Sequence, residues 1–208
     1  MNAIPPFVAN SDDDMHCVNA VFCMVLRHYT DKDMSWEEVD TVTKSIPGHG
    51  TWTICGDIEL AKHGIHVTNI EPVDYATLHK EGETYLRRVF GEDTANYYLK
   101  RSNISSVIAD IPEFLRTVHH ETRRIQTDEI ISMLSKGACI GATINSSILN
   151  RKSGFALHYI LLYDFDGTYF YLHDPGLPPM PSRKITVQEF ESSFIYPGGN
   201  GGVEIFHE

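Results

Sequence analysis

Three features of the sequence predict an α+β fold. Helical patterns dominate the first part of the chain, and β-rich apolar runs dominate the last. Asp166-Gly167 stands between two of those runs as a hairpin turn. The 208 residues are enough for one substantial core, or for a core carrying an inserted subdomain. A hydrophobic content of 42% beside a charged content of 22% is that of an ordinary soluble globular chain. Acidic residues outnumber basic ones 28 to 17, a net charge of −11, which argues against nucleic acid or an anionic membrane as the main partner.

Taken in order, residues 1–11 read as an extended lead-in, because Pro5-Pro6 resists helix, and Phe7-Val8 suits a short strand. Asp12-Asp13-Asp14 then caps an apolar helix that opens at Cys17 and runs to about residue 29. Ser35-Trp36-Glu37-Glu38 is a capping box for a second helix, to about residue 44. The glycine-rich loop 46–53 feeds a third helix, about 54 to 63, closed by Gly64. Residues 65–70 alternate and read as a strand. From 73 to about 124 the chain is charged and helical, with Tyr85, Leu86, Phe90, Tyr97 and Tyr98 at helical spacing and His119-His120 at its end. This stretch, 73–125, reads as a helical insertion or cap within one domain spanning residues 1–208. A capped helix begins at Thr127 and stops at Gly137. Strands follow at 138–144, 157–163 and 168–173, then a proline-rich loop at 177–184 and a short capped helix from Thr186. A glycine-rich turn at 198–202 leads to a last edge strand at 203–206.

The chemistry centres on Cys17. A thiol on the first turn of a helix meets free amide N–H groups and the positive end of the macrodipole, and both favour a thiolate. The other cysteines, Cys23, Cys55 and Cys139, show no CxxC spacing and read as small buried hydrophobes. A nucleophilic thiol needs a base, and the base needs an orienting group. His158 lies in an otherwise apolar strand, where a histidine must find a partner, and Asp174 ends the next strand. A hairpin symmetric about residues 166–167 sets His158 nearly opposite Asp174 or a neighbour of it. Adjacent strands are about 5 Å apart, the reach of an imidazole–carboxylate bond.

These stretches carry a family resemblance. Asp14-Met15-His16-Cys17-Val18-Asn19-Ala20, Gly50-Thr51-Trp52-Thr53, His158-Tyr159-Ile160-Leu161-Leu162-Tyr163-Asp164 and Tyr171-Leu172-His173-Asp174-Pro175 together resemble the papain-like cysteine peptidases. The resemblance is most specific to the bacteriocin-processing, double-glycine leader peptidases and their stand-alone relatives, and it covers about 5–72 and 127–196. It implies a papain-like fold, with a nucleophile helix packed on a C-terminal antiparallel sheet, and a triad of Cys17, His158 and Asp174. Two departures stand out. The family's Asp-Cys-Gly-Pro is His16-Cys17-Val18-Asn19 here, and its oxyanion glutamine, about six residues before the cysteine, is replaced by Asn10 and Ser11. The oxyanion donors expected are therefore the Cys17 amide and Asn10. Ser11, His16, His49 and Trp52 are candidates for the cleft lining, although His16, next to the thiol in sequence, is expected to pack within its loop.

The reading that follows is thiol-dependent acyl transfer or hydrolysis of a peptide or amide bond. Water as acceptor makes a peptidase or amidase, and an amine or thiol makes an acyltransferase. The alternative is a peptidase-like binding module with impaired catalysis, motivated by the missing glutamine. A metal protein is a third class, suggested by eleven histidines, His119-His120-Glu121 and the aspartate run. There is no HExxH and no Cys/His pair at zinc spacing, and adjacent histidines on a helix diverge, so neither metal nor cofactor is expected. The first residues carry no basic region and no long apolar run, so no signal peptide or membrane span is expected, and a reducing cytoplasm suits the free thiol. Substrate choice falls to the 73–125 segment. The substrate itself and the oligomeric state are left open by the sequence.

Overall fold

In the computed structural model the described residues are 3–194 and 201–208. Eleven α-helices, one short 3-10 helix (Ile108–Asp110) and seven strands are found among them. The first helix, α1 (Cys17–Tyr29), is apolar along its middle and buries every residue from Asn19 to Leu26. The second, α2 (Trp36–Thr43), starts with the expected capping box: Ser35 Oγ accepts from Glu38 N–H, and Glu38 Oε2 accepts from Ser35 N–H at 2.8 Å. Helix α3 (Ile54–Lys62) ends before Gly64, whose φ of +87° is the left-handed stop that glycine supplies without strain. Strand β1 (His66–Ile70) follows.

Five helices come next: α4 (Tyr75–Glu81), α5 (Glu83–Phe90), α6 (Glu92–Arg101), α7 (Ile104–Val107) and α8 (Ile111–Thr117). The segment does not end as a helix. His119–Glu121 forms a strand, β2, that pairs in parallel with β1, so His119 and His120 point to opposite faces of a sheet edge rather than diverging around a helix. The remaining elements are α9 (Thr127–Ser135), β3 (Cys139–Asn145), α10 (Ser146–Leu149), β4 (Leu157–Phe165), β5 (Tyr169–Asp174), β6 (Met180–Thr186), α11 (Val187–Phe194) and β7 (Val203–His207).

The strands form one sheet in the order β2-β1-β7-β3-β4-β5-β6, antiparallel except for β1 with β2. Four expectations are corrected. No strand forms at Phe7-Val8. The proline-rich stretch is not all loop: residues 180–186 make β6, and Pro181 is tolerated because β6 is an edge, where a missing N–H breaks no ladder. The C-terminal strand β7 is no edge. It lies between β1 and β3, and Val203 to Phe206 are buried because both faces are covered. The aspartate run does not cap α1: its N-cap is His16, with no side-chain cap bond. Most of the expected glycine-rich turn at 198–202 lies outside the described residues.

Period-two alternation on β3 and β4 divides the core in two. Cys139, Tyr159, Leu161 and Tyr163 face α1 and the helices around it. Ile140, Ala142, Ile160 and Leu162 face the other way, onto α9 and α11. Helix α1 thus lies across β4, and its first turn reaches the strand where His158 begins.

Candidate active site

Asn10 shapes the loop that presents Cys17. Its side-chain oxygen accepts from the amides of Ser11 (2.9 Å) and His16 (2.8 Å), and its Nδ2 donates to Asp14 Oδ1 at 3.0 Å. Asp14 takes a left-handed φ of +58°. Asp13 bonds Ser11 Oγ, Met15 N–H and the His16 ring. Although partial burial raises an acid, these bonds hold Asp13 down at about 2. The first turn of α1 contains no acidic residue. Its leading amides have no carbonyl four residues back within the helix, so they remain donors beside the thiol.

His158 and Asp174 meet at 2.8 Å, Nε2 to Oδ1, both side chains buried. The strands do not run in the symmetric register. Leu161 pairs with His173, and a bulge lies between Leu162 and Asp164. Three residues back from Leu161 and three on from His173, that register sets His158 across from Gly176, so Asp174 reaches it on the diagonal. A Cβ at Gly176 would stand 3.2 Å from His158 Nε2 and 3.1 Å from Asp174 Oδ1, so only glycine leaves the ring and carboxylate undisturbed. Asp174 is further held by Gly176 N–H at 3.1 Å and by Arg183 Nη1 at 2.7 Å. Burial disfavours its ionised form, but His158, Arg183 and the Gly176 amide outweigh that and lower its pKa.

Cys17 is the other polar neighbour of the His158 ring, and both line the same cavity. Burial opposes a charged ring here. The hydrogen bond to Asp174 and its charge, together with the neighbouring Cys17 side chain, overcome it and push His158 up to about 10. Burial pushes Cys23 and Cys139 up to about 11, and burial with the nearby Asp110 charge pushes Cys55 up to about 12. Cys17 is half-buried, whereas the other three are buried.

Cys17 and His158 open onto a cavity of about 200 Å³. Of the sequence candidates for its lining, Trp52 is there, its ring donating to Ser102 Oγ at 3.0 Å and its backbone N–H to Asn103 Oδ1 at 2.7 Å. Asn10, Ser11, His16 and His49 are not among the lining residues. The His16 ring lies between Asp13 and Asp40, as its expected loop packing requires. His49 is turned onto the carbonyl of Pro47. Sequence reasoning missed Arg183, Gly176, Asn103 and two carboxylates of the cavity wall, Glu71 and Glu204. Gly176 adjoins the Asp174-Pro175 stretch and acts on Asp174 two residues away, whereas the other four act through contacts made across the fold. No group of three or more His, Cys, Asp or Glu side chains among the described residues is arranged to hold a metal ion. No helix among them is long and apolar enough to cross a membrane.

A helix with a cysteine on its first turn, packed on an antiparallel sheet that carries a histidine and an aspartate, is the papain-like α+β fold. Among solved structures the chain is similar to a double glycine motif protease from an AMS/PCAT transporter, determined in complex with the leader peptide. The identity is 16% over 99% of this chain and 92% of that one, with a TM-score of 0.51. That likeness is one of fold. No family model and no curated protein matches the chain.

Proposed function

We propose that the protein is a cysteine peptidase or amidohydrolase acting through a Cys17-His158-Asp174 triad. The observation that carries the reading is the buried 2.8 Å His158–Asp174 bond, in a cavity whose wall also carries the Cys17 thiol from a helix first turn. Cys17 attacks the carbonyl of a peptide or amide bond as its proton passes to His158. The ring then delivers that proton to the leaving amine. Asp174 fixes the ring and stabilises its charged form, and Arg183 positions Asp174. Water resolves the acyl-enzyme in hydrolysis; an amine or thiol in its place gives acyl transfer.

The tetrahedral oxyanion is assigned to the Cys17 N–H and to Asn10. The Asn10 amide nitrogen carries two hydrogens, of which Asp14 takes one. That engagement, together with the absence of a glutamine before the cysteine, favours a second reading, a peptidase-like module that binds peptide without turnover. Loss of one oxyanion donor costs roughly 10²–10³ in rate. The helices between residues 73 and 125, which contribute Tyr75, Phe90, Tyr98 and Arg101 to the cavity, are assigned the role of a cap that selects substrate.

Iodoacetamide labelling at pH 6 tests the triad. An ordinary thiol near 8.5 is mostly protonated there. Cys17 is expected to label fast in the native protein and at least tenfold more slowly in His158→Ala. Slow labelling of the native protein removes the enzymatic reading. Fast labelling without turnover of any peptide in a library selects the binding module.

A further inference from the structure

The cavity does not stop at the triad. It runs along β4 and β7 to two carboxylates, Glu71 and Glu204. Both accept from the same amide nitrogen, Asn69 Nδ2, at 3.1 and 3.0 Å, so they stand side by side. Their other partners are neutral hydroxyls: Tyr75 on Glu71, and Thr53 (2.9 Å) and Tyr159 on Glu204. Behind them lies Asp57, 3% exposed, with one carboxylate oxygen that has no hydrogen-bond partner among the described residues.

No lysine or arginine is hydrogen-bonded or ion-paired to these three carboxylates among the described residues. The His120 ring reaches them through Asn69 Oδ1, at 2.6 Å, and packs against the ring of Tyr75. Arg101 is the one lysine or arginine among the residues that line the cavity. Buried carboxylates are normally paired. Here the neighbouring space is open, its walls include the aromatic faces of Trp52, Phe90 and Tyr98, and its mouth carries Asp14. Aromatic faces beside carboxylates suit an organic cation. The molecule's net charge of −11 draws such a group in.

We infer that the cavity binds the ammonium or guanidinium group of a lysine or arginine side chain, seated on the Glu71–Glu204 pair and flanking the bond presented to Cys17. The placement beside the scissile bond rests on the peptidase reading; the cation site does not. The carboxyls are poised for it. Burial, and then the Glu71 charge, push Glu204 up to about 7, and burial with the Glu204 charge raises Asp57. An incoming cation relieves that repulsion.

The test uses Cys17→Ala protein at pH 8, so that binding is read without thiol chemistry. In a Trp36→Phe background, which leaves Trp52 as the one tryptophan, fluorescence is followed as Nα-acetyl-lysine methylamide, its uncharged analogue Nα-acetyl-norleucine methylamide and butylamine are titrated in. The lysine compound is expected to bind at least tenfold more tightly than the norleucine compound and more tightly than butylamine, which lacks the peptide backbone. E71Q and E204Q, each checked for native circular dichroism, should abolish the difference. Glu71 is only half-buried, so E71Q keeps the test available if E204Q does not fold. Equal binding of the lysine and norleucine compounds overturns the inference, as does lysine binding that survives E71Q. Butylamine binding as tightly as the lysine compound overturns the assignment to a peptide side chain. If the lysine compound binds but unaltered protein neither labels at Cys17 nor cleaves lysyl amides, the peptidase reading fails while the cation site stands.

Discussion

Arg183 grips Asp174 from the side opposite His158: Nη1 to Oδ2 is 2.7 Å, while Oδ1 faces the ring. The guanidinium is itself anchored, its Nη2 donating to the carbonyl of Leu149 at 3.2 Å. Arg183→Ala leaves a buried carboxylate with one partner fewer. Breaking such a pair costs about 3 kcal/mol, read as a lower urea midpoint with unchanged slope. The acid limb of the pH–rate profile moves up, because Asp174 loses one of the groups that keep it ionised. Arg183→Lys restores the stability in part and the acid limb with it.

The proton affinity of His158 depends on Cys17. In Cys17→Ala the imidazole loses the thiol that helps raise it, so its pKa falls from about 10. Imidazole proton shifts in an NMR titration read this directly; an unchanged value means that the thiol does not face the ring. The sign for stability follows. A histidine raised above its ordinary 6.5 contributes stability in full below pH 6.5, and that contribution is lost as pH rises through about 10.

Glu204 gives a constraint of the same sign at lower pH. Its carboxyl is raised from 4.5 to about 7, so the folded state holds a proton that the unfolded state has released. Its contribution to stability therefore falls between pH 4.5 and 7, by up to about 1.4 kcal/mol per unit. Glu204→Gln removes this slope. Melting temperatures of the two proteins should diverge across that window, the variant becoming relatively more stable toward pH 7.

Gly141→Ala tests how tightly the pocket is built. A Cβ there would lie 2.0 Å from the Tyr159 hydroxyl oxygen, inside any contact distance. Tyr159 must swing away and release Glu204. Overpacking of this kind costs about 1–3 kcal/mol, measurable by denaturation. The Glu204 pKa is expected to move further up as its donor leaves.

Much of the scaffold is legible in the sequence because it rests on local chemistry. The Ser35–Glu38 box, the Gly64 stop and the Asp166-Gly167 turn each act within a few residues, and each forms as the pattern implies. The pairing of His158 with Asp174 could be anticipated because one hairpin joins them. The register could not, since the bulge between Leu162 and Asp164 responds to packing on both sheet faces. His119-His120 read as helix because they follow one; only pairing with β1, 51 residues earlier at Asn69–His120, makes them strand. Glu71 and Glu204 are invisible for the same reason: a lone glutamate in a β-rich stretch looks like a solvated face until another strand covers it.

The place of β7 bears on the order in which this molecule can come into being. Residues 203–207 fill the gap between β1 and β3, which are separated by the whole helical stretch that walls the cleft. Until that segment has left the ribosome, the strand leading to Glu71 and the strands beside His158 belong to two separate pieces of sheet. Glu204 arrives with the segment that joins them. Pairing across such sequence separations is slow to form. The thiol helix is therefore made early, and the groove that would give it a substrate is closed last.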